Sequence, residues 1–156
     1  MVKLMVALSH NEGVIACEPY TEMNGAYFAD FIRRKFDAMF ALANKDGSRL
    51  FIQDGDPSQN SKAARDALVE VNATLLPIPP RSPDLNPIEN VFKLVGDKLR
   101  TDAVKYNISK ETLQQFQARL IATIRSIPLE TIDKTIESMD NRLSIILKNY
   151  GHKTRY

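Results

Sequence analysis

Strand patterns and helix patterns alternate along the first two thirds of this 156-residue chain. Residues 2–18 are typical of a β-hairpin, and residues 49–53 ("RLFIQ") and 73–78 ("ATLLPI") are typical of two further strands. Apolar residues at helical spacing fill the segments between and after them. This alternation predicts an α/β fold. At this length we expect a single domain, in which residues from about 103 to 156 form a helical C-terminal extension.

The composition narrows the class of protein. The net charge is +2, and no apolar run approaches the ~20 residues of a membrane-spanning helix. The single cysteine, Cys17, excludes an internal disulfide and a multi-cysteine zinc site. No signal-peptide pattern precedes the first strand, so we expect a protein that is nuclear in a eukaryote and otherwise cytoplasmic.

Two carboxylates fall where an α/β sheet usually binds its ligands. Asp54 follows the strand "RLFIQ", and Glu89 opens the helix that follows the next strand. Asn86 is a favourable N-cap and Pro87 suits the first helical position, which makes Glu89 the third residue of that helix. We expect the two acids to converge. Since no histidine or cysteine accompanies them, they suit a hard cation such as Mg²⁺ or Mn²⁺.

Each motif alone also has a simpler explanation. "DGDP" is typical of a turn, and "NPIE" is typical of a capping box. A strand followed by Asp-x-Asp also resembles the haloacid-dehalogenase-type phosphatases, in which Asp54 would be the nucleophile and Asp56 the general acid. Two features oppose that alternative: Ser58 stands where that family prefers Thr or Val, and Asp97, from the candidate later motif, falls inside a helix pattern.

Both stretches together resemble the catalytic core of the mariner-superfamily DNA transposases, the DDE/DDD group with a ribonuclease-H-like fold. "QDGDPSQNS" (residues 53–61) is similar to the family's "QDNDPKHTS", and "SPDLNPIEN" (residues 82–90) is similar to the segment that supplies its last acid. The 34 residues between Asp54 and Glu89 are the gap of one large branch of the family. The resemblance extends from "KLMVALSHNEGVI" to "SMDNRLSIILKNYGHKTRY" and covers nearly the whole chain.

The resemblance implies a role for each acid. Asp54 is the second catalytic and metal-binding carboxylate, Glu89 is the third, and Asp56 shapes the loop. The family cleaves DNA strands and joins them to target DNA with Mg²⁺ or Mn²⁺. Its first aspartate lies on the central strand of the fold, upstream of the segment that matches residues 2–9. We therefore expect a partial catalytic domain that lacks this strand and this acid and is inactive alone.

Basic residues supply candidate contacts to DNA, the partner that the resemblance implies. The positions are Lys93, Lys98, Arg100, Arg142, Lys148, Lys153 and Arg155. Self-association, or pairing with an intact transposase, is a further expectation. The alternative to the enzyme is a transposase-derived module that binds nucleic acid or protein without catalysis.

Overall fold

The computed structural model describes residues 1–43, 47–79 and 82–148. The chain divides into two compact units. The terminal unit comprises Met1–Pro19 and Pro87–Tyr156, and the middle unit comprises Tyr20–Asn86. Two of the candidate DNA contacts, Lys153 and Arg155, lie outside the described residues.

Four strands and five α-helices make up the described secondary structure. The strands are β1 (Leu4–Ser9), β2 (Gly13–Pro19), β3 (Leu50–Phe51) and β4 (Thr74–Leu75). The helices are α1 (Gly25–Ala43), α2 (Lys62–Glu70), α3 (Pro87–Lys105), α4 (Leu113–Arg125) and α5 (Leu129–Lys148), and a 3₁₀ turn covers Pro83–Leu85.

In the terminal unit, β1 and β2 form an antiparallel hairpin that packs on three helices. Leu4, Val6 and Leu8 alternate along β1 and therefore share one face of the strand. That face packs against a core that also includes Cys17 of β2. The fully buried members of this core come from α3, α4 and α5 and are Val91, Val95, Ile124 and Ile132.

In the middle unit, α1 packs along α2 and carries an aromatic face. Its buried residues recur at helical spacing and are Phe28, Ala29, Phe31, Ile32, Phe36 and Phe40. The rings of Phe36 and Phe51 meet edge to face with centroids 5.2 Å apart, which packs β3 against α1. Strand β3 pairs in parallel with β4 over two residues each. Arg49 joins these elements by donating to Asp37 at 2.5 Å and to the carbonyl of Val71 at 2.7 Å.

The predicted α/β class is confirmed, and the hairpin and the start of α3 at Pro87 agree with the prediction. The strands β3 and β4 are shorter than "RLFIQ" and "ATLLPI" indicated. Helix α4 begins at Leu113, directly after Thr112, which forms a capping box with Gln115. None of the described helices is long and apolar enough to cross a membrane.

Candidate active site

Asp54 lies in the middle unit, in the loop that continues from β3. Two residues separate it from the end of the strand at Phe51. Its side chain is exposed, and it forms no hydrogen bond or ion pair with any residue in the described part of the chain. The Asp54 carboxylate is therefore available to an external ligand.

The loop around Asp54 is held in shape by Asp56. The Asp56 carboxylate accepts a hydrogen bond from the backbone N–H of Ser58 at 2.7 Å, which is an Asx turn. The Asp56 carbonyl accepts from the backbone N–H groups of Gln59 at 3.1 Å and Asn60 at 3.2 Å. Asp56 uses its oxygens within the loop, and this leaves Asp54 as the outward-facing acid of the pair.

Contacts on both sides anchor this loop within the middle unit. The Ser58 hydroxyl donates to the carbonyl of Met23 at 3.3 Å, just before α1. Ser61 caps α2 by accepting from the N–H of Ala64 at 3.2 Å. Inside the loop, Gln53 and Gln59 each keep a buried amide oxygen that has no hydrogen-bond partner among the described residues.

Glu89 lies in the terminal unit, in the first turn of α3, and its side chain is exposed. It has no hydrogen-bond or ion-pair partner within residues 1–43, 47–79 and 82–148. Val91 and Val95 hold the helix in the core of the unit, with 0% and 3% of their surfaces exposed. The first turn of α3 therefore presents a free carboxylate from an anchored helix.

The two acids belong to different compact units, so their convergence stays a prediction. The donor chemistry fits a hard divalent cation, because both side chains are exposed carboxylates with unused oxygens. Across the described residues, no group of three or more histidine, cysteine, aspartate or glutamate side chains is gathered for a metal ion.

The basic candidates differ in what they contact. Lys98 pairs with Asp102 at 3.4 Å, and Arg100 pairs with Asp97. Lys93 and Lys148 are exposed and have no carboxylate partner in the described part of the chain.

Arg142 is the buried member of the basic set, with 6% of its surface exposed. Its guanidinium faces the side-chain amide of Asn90. When the amide oxygen is turned toward Arg142, this oxygen accepts hydrogen bonds from both terminal nitrogens, and its distance to Nη1 is 2.7 Å. Asn90 directly follows Glu89. Sequence reasoning missed this contact, although Arg142 follows Met139 and Ile136 of α5 at helical spacing and so lies near the inward face. As a nucleic-acid contact, Arg142 stays a prediction.

Comparison with known protein families shows to which family this chain belongs. The profile of the family described as "DDE superfamily endonuclease" matches residues 1–126, a range that contains both acids. The chain belongs to the DDE endonuclease superfamily. The chain is similar to the Tcb1 transposable-element transposase of Caenorhabditis briggsae, to which it is 31% identical over 117 residues. That alignment covers 75% of this chain and 41% of the transposase, so the DDE chain spans less than half the length of this relative.

Solved structures establish the fold of this DDE chain. The Mos1 transposase paired-end complex with the left transposon end matches with a TM-score of 0.78 and 21% identity, over 96% of this chain and 44% of the Mos1 chain. The Mos1 catalytic domain solved with raltegravir and Mn matches with a TM-score of 0.72 and 17% identity, over 99% of this chain and 83% of that domain. The ribonuclease-H-like class expected from the sequence is confirmed.

Proposed function

We propose that this DDE chain is part of the catalytic domain of a Tc1/mariner-type DNA transposase, with Asp54 and Glu89 as two of its metal-binding acids. The observation that carries the proposal is the family match across both motifs, together with two carboxylates that are exposed and have no partner among the described residues. In a eukaryotic host such a protein acts on DNA in the nucleus.

The metal in this proposal is Mg²⁺ or Mn²⁺, held by Asp54 and Glu89. Oxygen-only donors favour these ions over zinc or copper, and the Mos1 domain solved with Mn supports a divalent cation in the family. When bound, the cation activates the attacking oxygen and stabilises the leaving oxygen of a phosphodiester.

The residues of the chain contribute position and charge. The Asx turn at Asp56 keeps the Asp54 loop in place, and the buried face of α3 keeps Glu89 at the surface. Exposed cations such as Lys93 and Lys148 are suited to DNA phosphates. The reaction proposed for the whole protein is hydrolysis of a DNA strand, followed by attack of the freed 3′-hydroxyl on target DNA.

We further propose that these 156 residues alone bind the cation weakly and do not cleave DNA. Two carboxylates leave most of the six positions around Mg²⁺ to water. In the described residues, no third histidine, cysteine or acid joins either of them in a cluster.

Mn²⁺ titration of the purified chain tests the metal site. Paramagnetic broadening of amide signals is expected around Asp54 and Glu89, and Asp54→Asn should remove the broadening around its own loop. Asp66→Asn is the matched control, because it removes an exposed acid from the same unit. Broadening that is scattered over other acids, or unchanged in Asp54→Asn, would contradict the assignment.

A plasmid-nicking assay with Mn²⁺ tests the predicted inactivity of the chain alone. Intact plasmid is expected. Nicking that disappears in Asp54→Asn would refute the predicted inactivity while supporting the acid assignment.

The second candidate function is a DNA- or protein-binding module without catalysis. It is favoured by the absence of a three-ligand cluster from the described residues. Metal-independent binding of duplex DNA that is unchanged in Asp54→Asn and Glu89→Gln, with no Mn²⁺ broadening at either acid, would favour this function over the enzyme.

A further inference from the structure

The candidate acid of the middle unit is followed by a glycine in an open loop. The side chain of Asp54 is exposed and has no hydrogen-bond or ion-pair partner in the described part of the chain. Gly55 is exposed as well, and a Cβ built on it would meet no atom within 4 Å. Its backbone N–H donates no hydrogen bond to another described residue. The carboxyl group of Asp54 and the nitrogen of Gly55 are therefore both free to react with each other.

Such a pair rearranges with water as the only co-reactant. The Gly55 nitrogen loses its proton and bonds to Cγ of Asp54, the C–OH bond of the carboxyl group in its acid form breaks, and one water leaves. Hydrolysis of the cyclic imide adds one water back, so the atoms balance and nothing is oxidised or reduced. Opening at the backbone carbonyl gives isoaspartate. Glycine favours the closure because it has no Cβ in the way and a flexible backbone.

The second acid of the same loop lacks this reaction. Asp56 is followed by Pro57, whose nitrogen carries no hydrogen and cannot form the imide. The Asp56 carboxylate is also held by the N–H of Ser58 at 2.7 Å. Of the two loop acids, only Asp54 can rearrange by this route.

An asparagine followed by glycine, elsewhere in the middle unit, gives a sharper contrast. In a flexible chain Asn24–Gly25 would close the imide faster than Asp54–Gly55, because ammonia leaves from a neutral amide. In the structure the Asn24 side-chain oxygen accepts from the N–H of Tyr27 at 2.9 Å, which caps α1. Gly25 is the first residue of α1, and a Cβ there would lie 2.7 Å from the Cβ of Ser61. Closure at Asn24 therefore requires loss of the cap and of the first helical turn.

We propose that Asp54–Gly55 is a site of spontaneous isoaspartate formation, and that folding makes it more reactive than Asn24–Gly25, the faster pair in the unfolded chain. The observations that carry this proposal are the unrestrained carboxyl group and nitrogen at residues 54–55 and the capped, packed pair at residues 24–25.

One consequence rests on the proposed function, in which Asp54 binds Mg²⁺ or Mn²⁺. In isoaspartate the carboxylate is attached directly to Cα and the main chain is longer by one carbon. The metal-binding group therefore moves within a loop that the contact of Ser58 with the Met23 carbonyl anchors. A carboxylate whose oxygens coordinate a cation does not release one of them as water. Bound metal therefore protects Asp54, and the metal-free chain is modified faster.

The test is prolonged incubation of the full chain at neutral pH in water enriched in heavy oxygen, followed by trypsin digestion and mass spectrometry. Each imide cycle leaves one heavy oxygen in the product, and electron-transfer fragmentation locates isoaspartate in the peptide of residues 50–62. Cleavage after Arg49 separates this peptide from another Asp-Gly pair at residues 46–47. Label should enter at Asp54 severalfold faster than at Asn24. In guanidinium chloride the order of the two rates should reverse.

Two variants identify the reacting nitrogen. Gly55→Ala should slow labelling at Asp54 severalfold, because a Cβ hinders closure while the open loop accommodates it. Gly96→Ala is the matched control, a glycine change in the other unit, and should leave the rate unchanged. If Gly55→Ala fails to fold, the comparison of Asp54 with Asn24 in the wild type still decides the question.

Faster labelling at Asn24 than at Asp54 in the folded chain would overturn the proposal. So would isoaspartate at residue 54 that forms only in guanidinium chloride, or that forms equally fast in Gly55→Ala. Saturating Mn²⁺ tests the metal separately: it should slow labelling at Asp54 and not at Asn24. An unchanged rate at Asp54 with Mn²⁺ would contradict its role as a metal ligand and leave the isoaspartate site standing.

Discussion

The guanidinium of Arg142 in α5 lies against the side-chain amide of Asn90 in α3, one residue after Glu89. Arg142 is almost fully buried, and a buried cation is costly unless it is hydrogen-bonded. This contact ties the first turn of α3, which carries the candidate acid, to the last helix of the terminal unit.

We predict that Arg142→Met lowers the free energy of unfolding by roughly 1–3 kcal/mol, because it leaves the half-buried amide of Asn90 without this partner. Urea denaturation measures the change. Lys148→Gln, which removes an exposed cation from the same helix, should change it by less than about 0.5 kcal/mol. If Asn90→Leu is added to Arg142→Met, part of the loss should be recovered. An Arg142→Met variant as stable as Lys148→Gln would show that the contact contributes little.

We predict concentration-dependent self-association of the chain through the β1 edge. Strand β1 pairs with β2 on one side, and no described strand pairs with its other side. Unpaired edges recruit other strands. Sedimentation velocity over a dilution series should show species larger than a monomer. Met5→Lys, which adds a charge to this edge, should shift the distribution toward the monomer. A strictly monomeric chain at all concentrations would contradict this prediction.

Local sequence signals predicted much of the fold. The hairpin follows from a turn between two apolar runs, and the start of α3 follows from the Asn-Pro pair at residues 86–87. The aromatic residues buried in α1 recur at helical spacing, as the sequence pattern of this segment indicates. These features depend on neighbours in the chain, and the sequence contains them directly.

Features that depend on packing partners were predicted less well. Residues 49–53 were predicted to form a strand, yet only Leu50 and Phe51 pair, because strand length depends on the neighbouring strand. Phe92 is apolar and adjoins the buried Val91, but it is 39% exposed, because the core is centred on Val91 and Val95. The contact of the buried Arg142 with Asn90 joins residues that lie 52 positions apart in the sequence.

For the candidate site, motif and spacing in the sequence predicted Asp54 and Glu89 as the acids, and this assignment stays a prediction. The structure adds their exposure and the Asx turn at Asp56. Whether Asp54 and Glu89 converge depends on long-range packing, which neither motif encodes.

We predict that stability decreases as the pH rises through the pKa of His10. The His10 ring donates a hydrogen bond from Nε2 to the Glu137 carboxylate at 2.9 Å, and this hydrogen bond, with the nearby charge of Asp133, raises the pKa of His10 above its usual 6.5. The folded state therefore binds the proton more tightly than the unfolded state. The stabilisation is complete below about 6.5 and is lost as the pH rises through the higher folded pKa.

Thermal melts at about pH 6 and about pH 8 test this relationship. The decrease in melting temperature of the wild type should be smaller in His10→Gln and in Glu137→Gln. Equal decreases in all three proteins would exclude His10 as the titrating group.

The last prediction concerns two glycines in contrasting environments. A Cβ at Gly25, the first residue of α1, would lie 2.7 Å from the Cβ of Ser61, which caps α2. Gly96 lies inside α3, where the nearest atom to an added Cβ is an Arg100 side-chain nitrogen at 3.7 Å. Gly25→Ala should therefore destabilise the middle unit by about 1–3 kcal/mol through overpacking and displacement of the cap. Gly96→Ala should stabilise the terminal unit by about 0.5–1 kcal/mol, because alanine favours the helix.

The shift of the denaturant unfolding midpoint measures the stability change of each glycine variant, provided that the m-value is unchanged. Adding Ser61→Gly to Gly25→Ala removes the clashing side chain, and glycine at an N-cap costs only a few tenths of a kcal/mol. The double variant should therefore regain most of the lost stability. If the double variant stays as unstable as Gly25→Ala, the clash with Ser61 is not the cause, and the close approach of α1 to the start of α2 does not limit the side chain at residue 25.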